Sequence, residues 1–173
     1  MREVIRKCAG FLFVDGKRIC SKEKSCYNQE CGKGDKINMT KKIDTKAVEK
    51  SMCSNYLQKA EENLRSARKA VEARDYNSAA VSAVHSVISA ADAYCVFALG
   101  KRCSSPKHED ASELVKTAPY PDSEKNAVSK AFMSVIRIKN MAEYEERLVK
   151  QKEAEKAVME AGELLNMVKV KLK

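Results

Sequence analysis

A chain of 173 residues, 44% hydrophobic and 33% charged, with only 6 Gly and 3 Pro, has the composition of one compact domain with a modest extension, since domains usually run to about 100–150 residues. Its longest stretch free of Asp, Glu, Lys and Arg, from Tyr76 to Ala91, falls short of the roughly 20 predominantly apolar residues of a spanning helix, so no membrane span is expected. The net charge of +9 is uneven, with thirteen Lys and Arg against seven Asp and Glu in residues 1–50, which suits either a polyanionic partner or a lysine-rich solvated surface.

The N-terminus, MREVIRKCAGFLFVDGKR, sets basic residues before a short apolar run that Asp15 interrupts, with no small-residue cleavage pattern after it. A signal peptide is therefore not expected, and the default location is cytoplasmic. Asp15-Gly16 between two apolar-containing runs predicts a hairpin, because a type I′ turn needs positive φ at both central residues. Its strands are placed at Phe11 to Val14 and Lys17 to Cys20. Cys8, Cys20, Cys26 and Cys31 crowd this segment. Four thiolates can close a tetrahedral Zn²⁺ site, and a segment with little core of its own would gain its fold from such a metal. No C-x2-C knuckle is present, so disulfides and free thiols stay open as alternatives. The remaining Cys53, Cys95 and Cys103 fall in or beside helical patterns and read as reduced, small apolar residues.

The pattern turns helical near residue 45, which divides the chain into a cysteine-containing extension, 1–44, and a helical domain, 45–173. The first helix is predicted from about Thr45 to Ala73, with Val48, Met52, Tyr56, Leu57, Ala60, Leu64, Ala67 and Val71 on one face. After a turn at Arg74 to Asn77, a second helix runs from Ser78 to Leu99 and stops at Gly100, which suits the left-handed position after a helix. A stripe of Ser78, Ser82, Ser86 and Ser89 beside Val81, Val84, Ile88, Cys95 and Leu99 places it in the middle of a bundle. A short helix follows near His108 to Lys116. Asp122 or Ser123 then caps a helix carrying Val128, Ala131, Phe132, Val135 and Ile138 inward. Past Asn140 to Tyr144 comes a last helix with Ala154, Ala157, Val158, Ala161, Leu164, Leu165 and Val168 as its core face. The fold class is thus all-α, an antiparallel four-to-five-helix bundle with a small N-terminal hairpin. No phosphate-binding glycine motif, G-x-S-x-G or H-E-x-x-H occurs.

Several segments in this order resemble one family. They are Tyr56-Leu57-x-x-Ala60-x-x-Asn63-Leu64-x-x-Ala67, Arg74-Asp75-Tyr76-x-Ser78-Ala79, Ala83-x-His85-x-x-x-Ser89-Ala90-Ala91-Asp92-Ala93, Gly100-Lys101-Arg102 ahead of His108, and Lys139-Asn140-x-x-Glu143-Tyr144. Over about Val48 to Val168 the chain is similar to the HEPN domain, a helical nucleotide-binding bundle. The resemblance implies a homodimer that acts on or beside RNA. It also implies a motif, often Arg-Asn-x-x-x-His before the last long helix, with which many members cleave RNA without metal. In that motif His assists the ribose 2′-hydroxyl and Arg steadies the phosphate.

The matching junction here reads Lys139-Asn140-Met141-Ala142-Glu143-Tyr144. Lysine still attracts phosphate, but a phenol is a poor proton acceptor at neutral pH. A second pairing, Arg102 with His108 as R-x5-H, lies at a different junction. Its bland alternative has Arg102 facing the carbonyls that end the second helix and His108 starting the third. His85 and Asp92, two turns apart, either join a polar pocket with Tyr94 or Arg102 or form a buried pair satisfied by other helices. The buried pair is the favoured expectation, because an unsatisfied polar group in a core is costly.

The candidate catalytic residues are therefore Arg102, His108, Lys139 and Tyr144. Candidate nucleotide or RNA contacts are Lys139, Asn140, Arg102, His85 and Asp92, and the metal ligands are Cys8, Cys20, Cys26 and Cys31. The helical domain needs no cofactor, and zinc is the cofactor considered for the extension. The leading functional expectation is a noncatalytic or weakly active module that dimerises and binds nucleotide, RNA or a partner protein such as a nucleotidyltransferase or antitoxin. A metal-independent ribonuclease or toxin component, and a structural scaffold, are the alternatives.

Overall fold

Half of one helix disappears from solvent: of the 24 residues of α2 (Tyr76–Leu99), twelve are buried, most of them Ala or Val. The computed structural model describes residues 43–172 and, in backbone only, the strands β1 (Lys7–Cys8), β2 (Phe11–Val14) and β3 (Lys17–Cys20). The chain divides into two units, Met1–Thr40 and Lys41–Lys173. In the first, β1, β2 and β3 form an antiparallel sheet in that order, with Cys8 and Cys20 each opposite Phe11. The hairpin strands match the expected bounds.

The second unit is an all-α bundle. α1 (Cys53–Glu72), α2, α4 (Asp122–Ile136) and α6 (Gln151–Lys171) are its long helices, with α3 (His108–Lys116) and α5 (Lys139–Tyr144) as short ones. Small side chains on α2, Ala79, Ala83 and Ala90 among them, and Ala60 and Ala67 on α1, are wholly buried. Without bulky groups at these positions the helices approach closely, and dispersion contacts accumulate along their length. All seven residues expected on the core face of α6 are buried, as are Val128, Phe132 and Val135 of α4. Three buried serines are paired. Ser86 Oγ donates to the Ala60 carbonyl at 2.8 Å, and Ser112 and Ser129 share a buried bond of 2.7 Å between α3 and α4.

Punctuation follows the local chemistry. Gly100 ends α2 at φ 66°, the left-handed region where a Cβ is strained. Asn77 Oδ1 accepts from the Val149 backbone N–H at 2.7 Å, fastening the start of α2 to the segment before α6. There Glu153 caps the helix by accepting from the Lys150 backbone N–H, and it takes two bonds from Arg147 at 3.0 and 3.1 Å.

Four expectations are corrected. Thr45–Ala47 is a strand, β4, paired antiparallel with β5 (Lys101–Cys103), so α1 begins at Cys53 after a 3-10 turn at Lys50–Met52. Residues 45–172 are therefore not wholly helical. Met52, placed in the first helix's apolar face, is exposed. Asp122 does not cap α4 but is its first residue, behind Pro121, and it pairs with Lys125 at 2.8 Å. The junction Lys139–Tyr144, read as the approach to the last helix, is itself the separate short helix α5. By length and apolarity α2 alone among the described helices could cross a bilayer, and 61% of its most apolar window is buried in the bundle. It is the core helix.

Candidate functional site

α2 is not covered on every side. His85 is exposed, and Ser89 and Asp92 on the same face are half-buried, so the expected buried His85–Asp92 pair does not form. A helix this rich in Ala and Val reads as buried all round, yet this polar edge is left partly open. Along that edge stand three short elements: β5 with Arg102, the first turn of α3 with His108, and α5 with Lys139, Asn140 and Tyr144.

At one end of the edge the charges converge on His108, the first residue of α3. Partial burial holds its imidazole below the ordinary pKa of 6.5, and the nearby Lys139 ammonium pushes the same way. Glu109 and Glu143 oppose the shift, while His85 adds to it. The ring is thereby biased toward its neutral form at pH 7, a state able to accept a proton. Lys139 itself is committed. Its Nζ lies 3.1 Å from Glu143 Oε2 and 5.2 Å from the centre of the Tyr144 ring. Glu143 raises the lysine pKa and so fixes its charge. Tyr144 is 73% exposed, and Asn140 is exposed beside it.

At the other end, Asp92 carries the largest carboxylate shift. Burial raises its pKa from 3.8 to about 6, with Arg102 and Lys59 pulling it partway back. Arg102 lies in β5, its Nη1 donating to the Cys103 carbonyl at 3.0 Å, rather than turning to the end of α2. The Cys103 thiol beside it is pushed up by burial, and Cys95 likewise. Both thiols are free and neutral, as the sequence suggests.

The structure thus gathers His85, His108, Lys139 and Tyr144 into one cluster and Asp92 with Arg102 into another. Arg102 and His108 do not pair. The charges that most affect His108 are those of α5 and its own helix, whereas Arg102 acts on Asp92. Two contributors were absent from the sequence-derived set. Glu143 had a signal, being four residues from Lys139. Lys59 had none, because it arrives from α1. The side chains of Cys8 and Cys20, and Cys26 and Cys31 altogether, lie outside the described residues. In the β1–β2–β3 register Cys8 and Cys20 stand two strand spacings apart, roughly 10 Å, wider than the Cα separation of about 4.4–6.8 Å in a disulfide.

A family model described as HEPN domain matches residues 53–171. No curated protein and no solved structure matches the chain.

Proposed function

Because that match spans more than half of its length, the chain belongs to the HEPN domain family, and from this premise we propose a noncatalytic or weakly active module that dimerises and binds nucleotide or RNA along the polar edge of α2. At the family level the domain is nucleotide- or RNA-related. The observation that carries it is the cluster of His108, Lys139, Glu143 and Tyr144. The residue that takes the place of the family's histidine is a phenol, and the lysine that takes the place of its arginine is already bound to a carboxylate. Such a site attracts phosphate while lacking the proton acceptor that cleavage needs at this position. A cytoplasmic location, and a partner such as a nucleotidyltransferase or antitoxin, belong to the same proposal.

Binding is expected to be weak and salt-dependent, because each phosphate contact releases condensed counterions. Fluorescence anisotropy with a labelled single-stranded RNA reads this as affinity falling steadily with log salt. Glu143→Gln frees Lys139 and is expected to tighten binding about twofold to fivefold, the range expected for an extra partly exposed charge contact. An unchanged affinity, or binding indifferent to salt, favours a scaffold or a protein-only partner.

A metal-independent ribonuclease is the second reading, and the lowered pKa of His108 favours it. A neutral imidazole beside Lys139 can serve as a general base even though it comes from α3. Cleavage in chelator that disappears in His108→Ala and persists in Tyr144→Phe would select this alternative.

For the extension, we propose one zinc held by cysteines of the set Cys8, Cys20, Cys26 and Cys31, with no more than one of the strand cysteines Cys8 and Cys20 among them, since their separation also exceeds the reach of two thiolates to a common ion. Elemental analysis of protein purified without added metal is expected to find about one equivalent per chain, held by thiolates at about 2.3 Å. Less than about a tenth of an equivalent, with the extension still folded, removes the idea, since a metal-built segment of this size unfolds without its ion.

A further inference from the structure

We infer that the bundle carries a separate small-molecule site, a pocket between α4 and α6 in which the Tyr94 hydroxyl receives a compact apolar ring bearing one neutral hydrogen-bond acceptor. The pocket has a volume of about 400 Å³ and none of its residues belongs to the polar edge of α2 described above. Its walls are Ala127 and Val128 of α4 and Met167 and Val170 of α6. Val170 is 67% exposed, an apolar side chain left facing water at the lining of an apolar hollow. Concave, mostly apolar surfaces of roughly 300–1,000 Å³ with a few placed polar groups are the usual form of small-ligand sites.

The polar group here is unusual. Tyr94 is 1% exposed, yet its hydroxyl has no hydrogen-bond partner among the described residues. A buried hydroxyl without a partner is costly, and a ligand atom that supplies one recovers that cost on binding. Burial also holds the phenol far above its ordinary pKa, so it stays protonated and acts as a donor. The ring is steadied by Tyr120, whose centroid lies 5.3 Å away at a tilt of 48°.

The remaining polar groups define the charge of the ligand. Lys171 Nζ lies 2.5 Å from Glu124 Oε2 and 5.6 Å from the centre of the Tyr120 ring. Its charge is therefore neutralised within the pocket, and an anionic ligand would meet the Glu124 carboxylate without a free cation to offset it. A cationic one would compete with Lys171. A neutral carbonyl on an apolar ring satisfies Tyr94 and disturbs neither.

Acetophenone is a suitable probe, with ethylbenzene as its counterpart lacking the acceptor, and both are titrated into the full chain while protein methyl resonances are followed by NMR. Acetophenone is expected to bind saturably with a Kd below about 1 mM, shifting Met167 and Val170. Tyr94→Phe should weaken acetophenone about tenfold, the value of one buried hydrogen bond, and leave ethylbenzene unchanged. Ala127→Trp, a change at an exposed position of α4, should abolish both by filling the hollow. The absence of saturable shifts with acetophenone overturns the inference and leaves water as the partner of Tyr94. Equal weakening of both probes in Tyr94→Phe, or binding that survives Ala127→Trp, overturns it as well.

Discussion

The Lys139→Arg/Tyr144→His double variant is expected to cleave RNA in the presence of chelator, at about 10²–10⁴ times the parent chain's rate, the range that a positioned general acid–base group supplies. The two side chains already face each other across one turn of α5, the lysine nitrogen 5.2 Å from the tyrosine ring. A guanidinium at 139 can hold Glu143 with one edge and phosphate with the other, which a single ammonium cannot do. An imidazole at 144 stands where the family's motif has one, and at that exposed position it titrates close to neutrality. Replacing a residue that is 73% exposed costs little stability. Quenched-fluorophore RNA substrates and gel analysis of the 2′,3′-cyclic phosphate product check the outcome. A folded double variant no faster than its parent would mean that the geometry of α5, and not only its residue types, departs from that of active relatives.

Asp92→Asn is expected to stabilise the domain by about 1–2 kcal/mol at pH 7.5 and to have little effect at pH 4. The carboxyl has a folded pKa near 6 against an ordinary 3.8, chiefly because burial penalises its charge. The folded state thus binds the proton more tightly than the unfolded chain does. Between those two values stability contributed by this group falls as pH rises, and above about 6 the full cost is present. At about 1.4 kcal/mol per pKa unit the ceiling is near 3 kcal/mol. Part of the side chain still reaches water and Arg102 recovers some of the charge, so the observed gain is smaller. His108, with its lowered pKa, works in the opposite sense below pH 6.5. The informative quantity is therefore the difference between variant and parent in urea unfolding at each pH. A constant difference from pH 4 to 8 would mean that Asp92 is not the titrating group. A stabilised variant that also binds RNA less tightly would mark Asp92 as a group kept for use rather than for packing.

The long helices were legible because their signals are local and repeated. The apolar period of α6 names seven residues, and all seven are buried. Gly100 announces the end of α2, and His108–Lys116 carries enough period to be placed to the residue. β4 could not be read this way. Thr45, Lys46 and Ala47 are all exposed and show no alternation, and their partners lie more than fifty residues on, so the pairing is a tertiary event with no local trace. α5 was hidden for a related reason, since six residues without a buried one give no period to detect. The site was half legible. Residue types picked out Lys139, Tyr144, His108 and Asp92, but which of them meet depends on where β5 and α5 come to rest against α2. The exposure of His85 was missed because the same small residues that bury one side of α2 say nothing about an edge left uncovered.

The β4–β5 ribbon has a mechanical consequence. Thr45 pairs with Cys103 at the end where the chain arrives from residue 44 and departs toward α3. A load pulling residue 44 away from the bundle would open the ribbon like a zipper, one rung at a time from the Ser104 N–H bond to the Asp44 carbonyl through to the Val48 N–H bond to the Gly100 carbonyl, instead of shearing every rung together. The α1–α2 packing would bear none of the load until the last rung gave way. Arg102 would lose its neighbour Lys46 midway through that sequence, so tension on the cysteine-containing extension would reach the arginine beside Asp92 before it reached the core.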